Sequence, residues 1–116
     1  VSERYAFLLG NFYNLQSQLK KADFILSIEV LEHLEDPQTM LNCLYASLKK
    51  GGTGMISAAI NAPNADHIYL YRSEKEVEKQ IIKAGFHIID SVCDDAYLAR
   101  REDEIIPQNY CAFLRK

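Results

Sequence analysis

Glu29, Glu32 and His33 follow directly on an apolar run, Asp23-Phe24-Ile25-Leu26-Ser27-Ile28. The run has the apolar, β-branched character of a strand buried in a parallel sheet. Its carboxyl end is where open α/β sheets hold their ligands. If the chain turns helical there, positions i, i+3 and i+4 share one face and present three donors together. His67 lies in the loop Asn61-Ala62-Pro63-Asn64-Ala65-Asp66-His67, after the next strand. Such a loop leaves the sheet at the same edge, which makes His67 a candidate general base. Asn61, Asn64, Tyr69 and Tyr71 border the same cleft. No Ser-His-Asp or Cys-His arrangement suggests a covalent nucleophile.

The elements that must position these residues follow from local signals. Asp36 is an N-cap with Pro37 at the first helical position, and Met40, Leu41, Leu44, Tyr45 and Leu48 form an apolar stripe. Lys49 and Lys50 suit a helix C-terminus, and Gly51 a left-handed cap. Thr53 to Ile60 reads as a strand. Ser73 and Glu76 form a capping box. It opens a helix with Val77, Ile81, Ile82 and Ala84 inside, closed by Gly85. Phe86 to Cys93 and Asn109 to Arg115 read as strands joined by a charged connection. Toward the N-terminus, Tyr5 to Leu9 suits a strand followed by a short helix or loop over 14–21. Helical spacing of Tyr5, Leu8, Leu9, Phe12, Leu15 and Leu19 leaves one amphipathic helix as the alternative.

Taken in order, these segments resemble class I S-adenosylmethionine-dependent methyltransferases. Asp23 to Leu34 with Asp36-Pro37 is similar to that family's fourth strand and following loop. Leu48-Lys49-Lys50-Gly51-Gly52 and Met55 to Ile60 resemble its next helix end and fifth strand. Ala84-Gly85-Phe86 before Ile88-Ile89 resembles its late helix-to-strand junction. The resemblance implies an α/β, Rossmann-like fold whose last strand is antiparallel, with residues 1–116 supplying the later strands of a seven-stranded sheet. It implies S-adenosylmethionine as cofactor, Asn11 and Phe12 at its adenine, Glu29 and Val30 beside it, and a small-molecule acceptor. Core packing is the alternative for Phe12 and Val30. Family members usually carry Asp where Asn11 stands.

The family's glycine-rich cofactor loop has no counterpart among Gly10, Gly51, Gly52, Gly54 and Gly85. The chain is therefore expected to be the C-terminal part of one methyltransferase domain, partnered by a missing N-terminal half and inactive alone. The strand from Phe24 to Ile28 would then be an unprotected apolar edge. Some O-methyltransferases resemble this chain at Glu-x-x-Glu-His and bind a divalent cation there. That resemblance implies Glu29, Glu32, His33 and His67 as ligands for Mg²⁺ or Mn²⁺, with His33 and His67 as catalytic groups. A non-catalytic interaction module with the same fold is a further alternative.

Composition narrows the classes. At 116 residues the chain is one domain or less, and 48% hydrophobic content suits a packed core. A formal charge of −3 gives no footprint for nucleic acid. No apolar run of membrane-spanning length occurs, and no signal peptide is visible. Cys43, Cys93 and Cys111 form no C-x-x-C pair, which suits reduced thiols and a cytoplasmic location.

Overall fold

The computed structural model describes residues 4–116. A single turn, α1 (Phe12–Leu15), runs into a 3-10 turn and then into a four-stranded sheet. The strands are β1 (Ala22–Ser27), β2 (Leu48–Ile60), β3 (His87–Asp95) and β4 (Gln108–Arg115), ordered β1-β2-β4-β3. β1 and β2 are parallel, and β4 runs antiparallel to β2 and β3. α2 (Pro37–Ser47) links β1 to β2, and α3 (Glu74–Ala84) links β2 to β3. The α/β fold with an antiparallel last strand is the one expected.

Local chemistry sets both helices. The Asp36 carboxylate accepts the Thr39 N–H at 3.2 Å, and Pro37 fills the first turn without needing a partner. Ser73 Oγ accepts the Glu76 N–H at 3.4 Å, while the Glu76 carboxylate accepts the Arg72 N–H at 3.0 Å. Gly85 ends α3 at φ 117°, and a Cβ there would sit 2.7 Å from the Tyr45 ring. Both conformation and space therefore require glycine.

Three expectations are corrected. α2 stops at Ser47 because Leu48 is already extended and paired with Ala22 of β1. Lys49 consequently meets Asp23 at 3.0 Å instead of a helix dipole, and Gly51 turns the strand at φ 79° instead of capping the helix. Ile82 is exposed, since Val77, Ile81 and Ala84 take the inner stripe of α3 and Ile82 rotates off it. Residues 5–9 form neither a strand of the sheet nor a helix. β1 is the sheet edge, and residues 5–9 are not a strand paired with it.

The two faces of the sheet differ sharply. Ile25, Ile56, Tyr110, Ala112 and Leu114 pack under α2 and α3 with Leu41, Leu44, Val77 and Ile81 in one buried cluster. On the opposite face Phe24, Leu26, Ile28, Val92 and Phe113 are exposed. The carboxyl ends of β1 and β2 lie at one edge of this sheet, and both lead into the candidate site.

Candidate functional site

Two strained residues mark that edge. Glu29, just past β1, has φ 53°, and Asn61, just past β2, has φ 51°. Asn tolerates this left-handed region, whereas Glu enters it rarely. Ser57 of β2 holds Glu29 there. Its hydroxyl accepts the Glu29 N–H at 3.0 Å and donates to the Glu29 carboxylate at 3.2 Å. Backbone strain fixed by a second strand is a feature of functional edges.

The chain then makes a 3-10 turn, Leu31–His33. Leu31 anchors the turn in the core, and Glu32 is only 1% exposed. The Glu32 backbone carbonyl accepts the Tyr69 N–H at 3.1 Å, which ties this turn to the segment after His67. Oε2 of Glu32 is buried with no hydrogen-bond partner. Burial, followed by the hydrogen bond and charge of the Glu29 carboxyl, pushes Glu32 up to about 7, against a small opposing pull from His33. A buried, orphaned carboxylate oxygen is costly unless something pairs with it.

The two imidazoles of His33 and His67 lie close to Glu32. Their rings meet edge to face with centroids 4.8 Å apart. His33 Nδ1 lies 2.8 Å from the Asp66 carbonyl, and His67 Nδ1 contacts the Ala62 carbonyl. A carbonyl oxygen only accepts, so each Nδ1 carries a proton, and a ring in its neutral form keeps its lone pair on Nε2. Ligand atoms of Glu32, His33 and His67 all lie within 4.8 Å of one another. One carboxylate and two imidazoles at this spacing can hold a cation or relay a proton.

The expected common helical face of Glu29, Glu32 and His33 is corrected. Glu29 stands before the turn in left-handed conformation, and the grouped donors are Glu32, His33 and His67. Glu29 stands outside the group, its carboxylate accepting from Ser57 and its charge acting on Glu32. Asn11 is exposed and caps α1, its Oδ1 accepting the Tyr13 N–H at 3.0 Å. Phe12 is half-buried against the core cluster, and Val30 is half-buried between Glu29 and the 3-10 turn. The Tyr71 hydroxyl donates to Gln80 at 2.6 Å, and Gln80 donates to Tyr69 at 3.0 Å, pinning the far end of the His67 loop. Tyr71 is core, and its burial pushes the phenol upward, so it stays neutral.

Ser57 and Asp66 were not legible as site residues. Ser57 acquires its role from the β1–β2 register, which sequence spacing does not give. Asp66 holds His33 mainly through its backbone carbonyl, which any residue carries, with its carboxylate 3.7 Å from the same nitrogen.

A family model described as a methyltransferase domain matches residues 10–91. The chain belongs to that methyltransferase domain family. The match runs from Gly10 into β3 and so covers every site residue above. Solved structures agree on the fold of this methyltransferase domain. A SAM-dependent methyltransferase from Thermotoga maritima superimposes with TM-score 0.68 at 23% identity, over 98% of this chain and 66% of that one. One from Archaeoglobus fulgidus gives TM-score 0.67 at 14% identity, over 94% and 66%. The cyclase SpnF gives TM-score 0.65 at 12% identity, over 84% and 50%. The chain thus spans half to about two thirds of the length of these structures. No curated protein matches the chain. Among the described residues, no helix is long and apolar enough to cross a membrane.

Proposed function

We propose that this domain transfers a methyl group from S-adenosylmethionine to a small-molecule acceptor, with His67 and His33 as the catalytic groups. The observation that carries this is the convergence of buried Glu32 with His33 and His67 at the carboxyl ends of two parallel strands. S-adenosylmethionine, when bound, supplies an electrophilic methyl group. Asn11 and Phe12 bind on its adenine side, and Glu29 and Val30 line the wall beside it. Ser57 keeps Glu29 turned toward β2. His67 Nε2 takes the acceptor's proton, while Ala62 holds the ring's other nitrogen protonated. His33, held by Asp66, aligns the acceptor from the other side.

The open sheet face and the free edge of β1 support a second element of this reading. A segment carrying the glycine-rich loop pairs with β1 and covers Phe24, Leu26 and Phe113, completing one domain of which residues 1–116 are the C-terminal portion. In that complete protein, His67→Ala should lower release of S-adenosylhomocysteine across an acceptor panel by about a hundredfold or more. Cofactor affinity should stay within about twofold. Unchanged turnover would return His67 to an ordinary loop residue.

One observation favours a metal-assisted version, the orphaned Oε2 of Glu32 in a residue grouped with two imidazoles. Glu32, His33 and His67 fit a divalent ion directly, with Glu29 acting through its charge on Glu32. Two nitrogen donors favour Mn²⁺ over Mg²⁺. A bound ion would lower the pKa of an acceptor hydroxyl. Turnover that survives EDTA unchanged removes this version and leaves the proton-transfer one.

A further inference from the structure

A separate cavity of about 500 Å³ opens between α1 and the entry of α2. Its size is that of a site for a small organic molecule. The Tyr13 ring, Leu34 and Ile68 give it apolar walls, and Ile68 is substantially exposed toward solvent. Glu35 and Asp36 give it two carboxylates, and no Lys or Arg lines it. Hydrogen bonds from the Thr39 hydroxyl, at 2.5 Å, and the Thr39 N–H hold the Asp36 carboxyl below the usual carboxylate range, so it is anionic. Lys83 of α3 acts on Asp36 from outside the cavity and contributes least to that shift. The α2 N-terminus is already occupied by Asp36, so it offers no berth for an anion. His33 belongs both to this wall and to the cluster with Glu32 and His67, which places the cavity against the reacting edge.

We propose that this cavity is the acceptor site and takes a protonated amine carried on a flat apolar body. The ammonium sits between Glu35 and Asp36 as the anchor, having no lone pair to take a methyl group; the body lies against Tyr13, Leu34 and Ile68 and carries the methyl-accepting group toward His33. The Tyr13 face adds attraction for the cation. The word acceptor rests on the methyl-transfer reading, whereas amine binding stands on the cavity itself.

The test is calorimetric titration of the full-length protein with three shape-matched probes: phenethylamine, phenethyl alcohol and 3-phenylpropionate. Phenethylamine should bind about tenfold or more tightly than the alcohol, and the carboxylate should be the weakest. The double variant Glu35→Gln, Asp36→Asn should bring amine affinity to within about twofold of the alcohol, whose own affinity stays unchanged. Asn at position 36 still caps α2, so a loss is not loss of the helix. Circular dichroism of the variant checks this. Tyr13→Ala should weaken the amine and the alcohol alike. Saturation with S-adenosylhomocysteine should leave amine binding in place. Equal binding of amine and alcohol, a preference that survives the double variant, or displacement by S-adenosylhomocysteine would each overturn the proposal. Amine binding in a protein that methylates nothing would reject the methyl-transfer reading and keep the site. Methylation of neutral alcohols without amine preference would do the reverse.

Discussion

β1 shows the contrast between the two faces of the sheet within six residues. Ile25 and Ser27 are 8% and 7% exposed, whereas Phe24 and Leu26, between and before them, are 47% and 63% exposed. Apolar side chains occur on both faces, Ile25 on one and Phe24 and Leu26 on the other. What differs is the cover, since α2 and α3 pack on one face and no described helix packs on the other. Hydrophobic residues therefore stabilise this chain only where a second layer removes them from water. The open face extends across β4 and β3 through Phe113 and Val92, forming a continuous apolar surface larger than a scattered exposed residue would explain.

The largest expected effect tests the covered face. Ile56→Ala and Leu114→Ala should each cost roughly 2–5 kcal/mol in urea unfolding, because both sit at 0% exposure in the core. Costs below about 1 kcal/mol would break the contrast.

Glu32 is next, because its destabilisation depends on pH. Its folded value of about 7 lies above the ordinary 4.5, so the folded chain binds the extra proton between these values. The carboxyl imposes no charge burial below about 4.5, and stability is lost as pH rises through about 7. In EDTA, Glu32→Gln should therefore gain stability over wild type between about pH 5 and about pH 8. A flat difference across that window would remove the buried charge from the account. If Mn²⁺ add-back cancels the slope, the metal-assisted version gains support.

Gly85→Ala should cost about 1–2 kcal/mol from left-handed backbone alone, with displacement of the Tyr45 ring adding to it. Ser73→Ala should cost about 1 kcal/mol through the lost cap of α3. Leu26→Ala is the smallest and the most telling. In the 116-residue chain it should change stability by less than about 0.5 kcal/mol. In the complete protein, a covered Leu26 should behave like Ile56, and a persistently silent Leu26 would show that nothing packs there.

Much of this is legible in the sequence itself. Asp36-Pro37, Ser73 with Glu76, and Gly85 act within a few residues of themselves, so their helices began or ended as their chemistry dictates. The strand Asp23–Ile28 and its polar exit were visible from composition alone. Features that depend on partners distant in sequence were not. Leu48 joined β2 because Ala22 waits in the neighbouring strand. Residues 5–9 have the apolar pattern of a strand but stand outside the four-stranded sheet. Glu29 left the expected helical face because Ser57, 28 residues on, holds its backbone in the left-handed region.

In the proposed reading cofactor recognition is divided: Asn11, Phe12, Glu29 and Val30 would contribute one wall, and a segment covering the open face the main cradle. Calorimetric titration of S-adenosylmethionine into the 116-residue chain, beside the same titration into the complete protein, tests it most directly. Binding should be millimolar or weaker for the chain and micromolar for the complete protein. Micromolar binding by the chain alone would contradict it.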